Sequence, residues 1–360
     1  MEKVKVAVVG TGGIAQEHIA AYLHNPRVEL YAFCDVSEKN LRAAGEKYGV
    51  ERLYTSEPEM LAALPELDAV SVCTWNCVHA ECAITALKAG CHVLCEKPMA
   101  VNAAQAKRMA EAAGSSGRLL MIGFVRRFGN DCAVLKDFID QGYFGDIYYA
   151  KASYLRRCGN PGGWFGDKDR SGGGPLIDLG VHIIDLVRYV MGNPKPVSVY
   201  GAAFRELGGR RNLKAGTGGY VSVGKSAEDV SDVEDMAAAL IRFDNGAVLS
   251  IETSFDLHME RDKSGIELFG TKAGAKLDPE LKIYTEINDY LTNVQLASPT
   301  ALSFQGLFQK EIDHFISCIL DGAPCRAPAE DGVALMEILD AVYRSAASGH
   351  EVVLGAEAAR

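Results

Sequence analysis

The 360-residue sequence lacks the features that mark several large classes of protein. No apolar run approaches the roughly 18 residues of a membrane helix, and the N-terminal residues show no apolar signal-peptide core. Positive charge is not in excess, since 47 acidic residues outnumber 37 basic ones, so we expect neither nucleic acid nor a membrane as a partner. There is no internal repeat, and the 10 cysteines include no Cys-x-x-Cys pair. We therefore expect a cytoplasmic globular protein with reduced thiols.

The length and the order of the sequence patterns predict two domains. A chain of 360 residues is too long for one compact core, and 48% hydrophobic with 23% charged residues is typical of a folded protein. The first hundred residues alternate short β-branched runs with amphipathic runs of helix length, which predicts a parallel sheet wrapped by helices. The predicted fold class is α/β, with a Rossmann domain over residues 1–124. An α+β domain with a large, mainly antiparallel open sheet is predicted over residues 125–360.

The second half contains strand-like runs rich in aromatic and β-branched residues, which we interpret as antiparallel strands. Asp244-Asn245-Gly246 predicts a tight hairpin turn between two of them, because Asn-Gly accepts positive φ values. Residues 276–285 are predicted as one strand, residues 176–191 as one helix, and the glycine-rich residues 208–231 as a loop or lid. An open sheet would leave a large face in water, so we expect a homo-oligomer, either a dimer or a tetramer.

A strand that runs into a glycine-rich turn opens the chain. Residues 6–15 read as a strand followed by Gly-x-Gly-x-x-Ala and a helix, in which Gly10 permits the turn and Gly12 lets the backbone approach a pyrophosphate. Asp35 ends the second predicted strand. Its carboxylate would accept hydrogen bonds from the adenosine ribose and repel a 2′-phosphate, which favours NAD over NADP. The alternative is a glycine turn in a domain that binds no nucleotide. The predicted cofactor contacts here are Gly10, Thr11, Gly12, Gly13, Ile14 and Asp35.

Two further motifs resemble one known family. Cys95-Glu96-Lys97-Pro98 and the glycine-rich residues 172–182 together resemble the Gfo/Idh/MocA oxidoreductases. The resemblance covers nearly the whole chain through residues 74–79, 123–128 and 270–274. One position departs from the family pattern, because Trp75 stands where the family usually has proline.

The resemblance implies an NAD(P)-dependent enzyme that interconverts a secondary alcohol and a ketone on a sugar, glycoside or cyclitol. It maps the family's catalytic residues onto Lys97, Asp178 and His182. Loss of the hydroxyl proton assists hydride removal, so a base that titrates near neutrality and a donor to the growing alkoxide are needed. His182 suits the first role and Lys97 the second, while Asp178 would orient the hydroxyl or stabilise the imidazolium. Further cofactor contacts are predicted at Thr74, Trp75, Asn76, His79, Glu96 and Lys97.

The remaining predictions concern substrate contacts and one peptide bond. Aromatic faces and guanidinium groups suit a polyhydroxylated ring, although surface packing is an equally valid interpretation of these residue types. A cis peptide is predicted at Lys97-Pro98, since a bond before proline adopts this form at modest cost. The predicted substrate contacts are Arg127, Tyr154, Arg156, Trp164, Asp178 and His182.

For a dehydrogenase that oxidises its substrate, the C3 hydroxyl of a sugar is a reasonable candidate for the group that is oxidised. Three other functions compete with this interpretation. A glycosidase or lyase would oxidise transiently, cleave and reduce again, and a sugar-sensing regulator would bind nucleotide without catalysis. A zinc dehydrogenase would use the cysteines and histidines of residues 77–95. Their spacing argues against it, because neighbouring positions on a strand face opposite ways. We therefore predict no metal site.

Overall fold

The computed structural model describes residues 3–210, 213, 229–297 and 300–355. The chain divides into two compact units. Unit 1 comprises residues 1–128 and 304–333, and unit 2 comprises residues 129–303 and 334–360. Residues 304–333 were predicted to belong to the second domain, whereas in the structure they group with residues 1–128.

Unit 1 is built on a six-stranded parallel sheet. Its strand order is β3-β2-β1-β4-β5-β6, the order of a Rossmann fold. The central strands are almost wholly buried, as expected for a parallel sheet covered on both faces. The strands are β1 (Val4–Val9), β2 (Val28–Cys34), β3 (Leu53–Tyr54), β4 (Ala69–Val72), β5 (His92–Glu96) and β6 (Leu120–Gly123).

Helices connect these strands, and one later helix joins them. The connecting helices are α1 (Gly13–His24), α2 (Glu38–Tyr48), α3 (Glu57–Ala63), α4 (Asn76–Lys88) and α5 (Ala103–Ser116), and α9 (Leu307–Asp321) packs on α1. Serine or asparagine side chains cap the N-termini of α2, α3 and α5. The α1 N-terminus has no side-chain cap.

Unit 2 is built on a nine-stranded mixed sheet in the order β14-β13-β12-β11-β7-β10-β9-β8-β15. The strands are β7 (Ile147–Leu155), β8 (Pro196–Phe204), β9 (Met236–Phe243), β10 (Val248–Ser254), β11 (Lys263–Gly270), β12 (Ala273–Leu277), β13 (Lys282–Ile287), β14 (Tyr290–Val294) and β15 (Val352–Val353). The helices that begin in this part of the chain are α6 (Asn130–Asp140), α7 (Lys168–Ser171) and α8 (Val181–Val190). α10 (Ala329–Ser348) contains the boundary between the two units.

Several predicted elements differ from the structure. The sheet is mainly antiparallel, as predicted, but β7 and β10 pair in parallel. The strand predicted at residues 276–285 is two strands, because Asp278 has a φ of 66° and Pro279 lacks the N–H that a ladder requires. The hairpin at Asp244-Asn245-Gly246 is confirmed: it joins β9 and β10, and Gly246 has a φ of 85°.

None of the helices in the described ranges is long and apolar enough to cross a membrane. Most of the loop predicted at residues 208–231 lies outside the described residues, and only its two ends can be placed.

Candidate active site

The glycine-rich turn of unit 1 has the geometry of a phosphate-binding loop. Gly10 has a φ of 85°, and a Cβ there would lie 2.5 Å from the Cys73 carbonyl oxygen, so no other residue fits. At Gly12 and Gly13, by contrast, nothing lies within 4 Å of an added Cβ. Gly12, the residue before α1, has no side chain that could accept from the first N–H groups of the helix. These residues therefore fit a dinucleotide pyrophosphate, which would accept those N–H groups.

Asp35 is held beside this turn by three hydrogen bonds. Its Oδ2 accepts from the Thr11 N–H at 2.7 Å and from the Thr11 hydroxyl at 2.8 Å, and its Oδ1 accepts from the Ser37 N–H at 2.8 Å. Thr11 thus orients Asp35. The carboxylate is half-buried, and Oδ1 keeps a lone pair for a further donor such as a ribose hydroxyl.

The carboxyl ends of β4 and β5 carry the other predicted cofactor contacts. Trp75 is 44% exposed at the α4 N-terminus, and Asn76 beside it is buried. His79 is buried, with Nδ1 2.8 Å from the Pro98 carbonyl oxygen and Nε2 3.1 Å from that of Thr74. Burial lowers the pKa of His79, although the two carbonyl acceptors oppose this shift. The ring lies between the Thr74 and Pro98 carbonyl oxygens and so links these two segments. These contacts of His79 are structural, while its contact with a nucleotide stays a prediction.

Lys97 follows β5, and its peptide bond to Pro98 is cis, as predicted. The lysine is half-buried, and its backbone N–H donates to Glu96 Oε2 at 3.1 Å. The Glu96 side chain is buried rather than directed to solvent, with 6% of the residue exposed. Glu96 therefore supports the backbone at Lys97, and its predicted contact with the cofactor stays a prediction.

Behind Lys97 lies a buried polar cluster that the sequence analysis missed. His18 of α1 contacts Glu96 Oε1 through Nε2 and Ser71 Oγ through Nδ1, each at 2.8 Å. Burial opposes a charged His18, but its contacts with Cys73 and Glu96 outweigh this and raise the pKa of His18 well above its usual range. Burial likewise opposes the charged Glu96, yet the hydrogen bond and charge of His18 lower the pKa of Glu96. The pair is thus a buried ion pair.

Glu311 of α9 adds a second carboxyl group to this cluster. It is fully buried, and neither carboxylate oxygen has a hydrogen-bond partner among the described residues. Burial and the nearby charge of Glu96 raise the pKa of Glu311 to about 8. The sequence carried no signal for this cluster, because its members come from four separate elements.

In unit 2, Asp178 and His182 lie where a helix begins. Residues Leu176–Gly180 form a π-helical turn, and α8 follows directly. The preceding glycines allow close packing, since a Cβ at Gly173 would lie 2.0 Å from the Tyr343 hydroxyl oxygen and one at Gly174 2.4 Å from the Glu234 carbonyl oxygen. Asp178 and His182 are both half-buried, and are thus exposed in part.

Glu234 holds this helix start and was also missed from sequence. Its Oε2 accepts from the Gly174 N–H at 3.0 Å, and its Oε1 accepts from the Leu176 N–H at 3.1 Å and from the Tyr343 hydroxyl at 2.9 Å. Burial raises the pKa of Glu234, although these donors oppose the shift. The carboxylate caps N–H groups that would otherwise have no acceptor.

Residues 176–190 are helical, as predicted, but they do not form one uniform α-helix. A uniform helix would place Asp178, His182, Asp185 and Tyr189 in one polar stripe. A π-helical turn bonds i to i+5, so a constant 100° per residue does not relate Asp178 to later residues. Asp185 and Arg188 are 1% and 2% exposed and belong to the interior, whereas Tyr189 is half-buried. The stripe is therefore divided between partly exposed and buried residues.

The predicted substrate contacts have different surroundings. Arg127 is 1% exposed, and its Nη1 contacts Asp331 Oδ2 at 2.7 Å and the Arg326 carbonyl oxygen. This burial leaves no room for a sugar, so Arg127 is a structural residue of unit 1. In unit 2, Arg156 lies over the Tyr154 ring at 5.4 Å. The half-buried Trp164 stacks on Phe165 at 4.0 Å.

Within the described residues, the cysteines and histidines of residues 77–95 are not gathered into a group of three metal ligands. Cys91 and Cys95 are buried, and the His79 ring nitrogens contact carbonyl oxygens. The described residues contain one group of three such ligands, at His314, Cys318 and Cys325.

Comparison with known families agrees with both units. The N-terminal profile of the Gfo/Idh/MocA family, described as an oxidoreductase family with an NAD-binding Rossmann fold, matches residues 4–124. The family's C-terminal alpha/beta domain matches residues 136–354. The chain belongs to the Gfo/Idh/MocA oxidoreductase family. Its first part is an NAD-binding Rossmann domain, and the predicted family, fold class and cofactor are confirmed.

Relatives within the Gfo/Idh/MocA family include named dehydrogenases. The chain is 35% identical over 354 residues to a D-glucoside 3-dehydrogenase of Escherichia coli, covering 98% of this chain and 97% of that protein. It is 29% identical to a myo-inositol 2-dehydrogenase of Thermotoga maritima, covering 91% and 92% of the two chains. The crystal structure of an oxidoreductase domain protein from Kribbella flavida superposes with a TM-score of 0.85 at 26% identity, over 98% of this chain and 100% of that one. The chain is therefore an oxidoreductase.

Proposed function

We propose that this oxidoreductase is an NAD-dependent dehydrogenase that oxidises a secondary hydroxyl of a sugar, glycoside or cyclitol to a ketone. The C3 hydroxyl of a glucoside is the first candidate. The observation that carries this choice is the 35% identity, over 98% of the chain, to a D-glucoside 3-dehydrogenase. The inositol dehydrogenase relative supports a cyclic polyol as the wider substrate class.

Unit 1 would hold the cofactor through its glycine-rich turn and Asp35. The N–H groups of Gly13 and Ile14 at the start of α1 would donate to the pyrophosphate, and the carboxylate of Asp35 would accept from the adenosine ribose. Bound NAD⁺ supplies the acceptor for the hydride that leaves the carbinol carbon.

Three side chains would then act on the substrate hydroxyl. His182 would accept its proton during oxidation and return it during reduction, since an imidazole titrates near neutrality. The ammonium of Lys97 would donate a hydrogen bond to the same oxygen and stabilise negative charge as it develops. Asp178, in the π-helical turn before His182, would orient the hydroxyl or the imidazole. Tyr154, Arg156 and Trp164 are proposed as substrate contacts in unit 2, and Arg127 is not.

The catalytic roles are tested by paired substitutions. Lys97→Met and His182→Ala should each lower kcat by about 10²-fold or more, because each removes an acid–base or electrostatic group. The Kd for NAD should stay within about twofold in His182→Ala. Lys88→Met and His258→Ala, at exposed positions, are the matched controls and should keep full turnover. Unchanged kcat in either active-site variant would remove that residue from the mechanism.

The substrate class is tested with a panel of sugars, alkyl glucosides and inositols. Each compound is incubated with the protein and NAD⁺, and NADH absorbance is followed together with the product mass. A product two mass units lighter than a glucoside, formed with one equivalent of NADH, would support the proposal. Release of aglycone without accumulation of NADH would assign the chain to the transient-oxidation glycosidases instead.

We also propose that the protein is a homo-oligomer that associates through the open face of the nine-stranded sheet. Side chains on this face of β8 and β9 are about half exposed, with Tyr200 at 53% and Leu240 at 49%. Exposed aromatic and aliphatic side chains in adjacent positions favour contact with a second copy.

A further inference from the structure

Three metal-ligand side chains of unit 1 come together, and none of them has a role in the proposed mechanism. His314 and Cys318 are four residues apart on α9 and therefore share one face of the helix. Cys325 follows the turn at Gly322, which ends α9 with a φ of 66°. The imidazole nitrogen and the two sulfurs all lie within 4.8 Å of one another.

The distance between His314 and Cys318 is close to that between two ligands of a tetrahedral zinc ion. With Zn–S near 2.3 Å and Zn–N near 2.05 Å, tetrahedral ligands stand about 3.6 Å apart for N and S and about 3.8 Å apart for two sulfurs. The observed distance from His314 Nε2 to Cys318 Sγ is 3.4 Å. Little movement is therefore needed to place an ion between the three donors.

The imidazole is in the protonation state that binds a metal. His314 Nε2 accepts a hydrogen bond from the Arg326 N–H at 3.0 Å, so this nitrogen carries no proton and its single lone pair points to that N–H. A cation would take the place of that one hydrogen bond. The Phe128 ring packs on the imidazole with centroids 5.4 Å apart and limits its rotation.

The segment that carries Cys325 is held in place from the other side. The Ile122 N–H of β6 donates to the Ala327 carbonyl oxygen at 2.9 Å, and Met121 bridges to Pro328. The Arg127 guanidinium donates to the Arg326 carbonyl oxygen. Cys325 is thus held between the end of α9 and a stretch paired with β6. Because the fold already orders this backbone, metal binding would cost little conformational entropy.

We propose that His314, Cys318 and Cys325 bind one zinc ion, with the fourth position open to water. Soft thiolates and a neutral imidazole form a donor set that zinc prefers over magnesium or calcium. Binding would release one proton from each thiol, and Zn²⁺ with two thiolates is a neutral centre that tolerates partial burial. The ion would join α9 to residues 322–328 and stabilise unit 1. Metal ligands were considered from sequence only among residues 77–95, so the prediction of no metal site did not take these three residues into account.

Cobalt substitution tests this site without any activity measurement. The full-length protein, kept reduced and freed of metal by a chelator, is titrated with Co²⁺ under anaerobic conditions. We expect one equivalent to bind and to give a thiolate-to-cobalt charge-transfer band in the near ultraviolet, which Zn²⁺ then abolishes by displacement. Zn²⁺ should also raise the Tm of the metal-free protein.

Serine variants locate the ligands and supply the controls. Cys318→Ser and Cys325→Ser should lose the band and the zinc-dependent rise in Tm, while Cys158→Ser in unit 2 should keep both. An unchanged Kd for NAD in each variant shows that the fold is retained. The proposal is overturned if Co²⁺ gives no band, or if the double variant Cys318→Ser/Cys325→Ser keeps the band. It is also overturned if thiol titration shows that these two cysteines stay joined in a disulfide under the reducing conditions used.

Discussion

At the scale of single residues, Asp35 combines two tasks. Its carboxylate accepts two hydrogen bonds from Thr11 and one from Ser37, so it shapes the glycine-rich turn as well as offering an acceptor to a ribose. Replacement by alanine should weaken NAD binding by about tenfold or more, since hydrogen bonds to a charged group contribute about 1.5–3 kcal/mol. It should also reduce the preference for NAD over NADP, because the repulsion of a 2′-phosphate is lost.

Titration calorimetry with both nucleotides would measure these effects. Thr11→Val is the matched control, because it removes one donor to Asp35 but keeps the negative charge. It should therefore weaken NAD binding without changing the preference for NAD over NADP. If Asp35→Ala kept the wild-type ratio of the two Kd values, Asp35 would not lie beside the ribose.

Glu311 predicts a pH dependence of stability. Its pKa is raised to about 8 in the folded protein by burial and by Glu96, and is about 4.5 when exposed. As the pH rises, the unfolded chain loses this proton at a lower pH than the folded protein does. The contribution of Glu311 to folding stability is therefore fully present below about pH 4.5 and is lost as the pH rises to about 8. Glu311→Gln removes this effect. The difference in unfolding free energy between Glu311→Gln and the wild type should shift in favour of the variant by on the order of 2–4 kcal/mol between pH 5 and pH 8.5.

Urea unfolding at several pH values would follow this difference, with the exposed Glu17→Gln as control. His18 and Glu96 also face Glu311, but they are present in both proteins, and to first order their titration cancels in the comparison. Parallel stability curves for wild type and Glu311→Gln would show that Glu311 is ionised in the folded protein.

At the scale of elements, the helix start that carries Asp178 depends on Glu234. Glu234→Gln would turn an amide N–H group toward a backbone N–H or the Tyr343 hydroxyl, which leaves buried donors unpaired and costs about 1–3 kcal/mol of unfolding free energy. A displaced helix start should also lower kcat more than it raises KM. Tyr343→Phe removes only one of the donors and should have a smaller effect on both quantities. Equal effects of the two variants would contradict a capping role for the carboxylate.

The same elements show what could be predicted from sequence and what could not. Gly10 and the hairpin at Gly246 were predictable because a positive φ restricts the residue type locally. Glu234 was not, since it bonds to Gly174 across 60 residues, and His18 bonds to Glu96 across 78. The π-helical turn was also missed, because hydrophobic periodicity assumes a constant rotation per residue. Contacts between distant segments leave no local pattern in a single sequence.

At the scale of the whole molecule, one face of the nine-stranded sheet exposes side chains of partly apolar character. Tyr200 and Leu240 are register partners on β8 and β9, while their neighbours along each strand point to the buried face. On the same face, Tyr149 stacks on Phe269 with ring centroids 5.7 Å apart. An interface with two-fold symmetry uses one surface twice, so each substitution on it counts twice.

Leu240→Lys should therefore dissociate the oligomer. Each buried leucine contributes about 1.5–3 kcal/mol, so two lost copies weaken association by at least about 100-fold, before the two introduced charges repel each other. Sedimentation velocity over a range of protein concentrations would measure the shift towards monomer. Leu23→Lys on α1, where the leucine is 51% exposed, is the matched control and should leave the oligomer intact. A wild-type protein that sediments as a monomer at micromolar concentration, or a Leu240→Lys variant that stays assembled, would exclude this face as the interface.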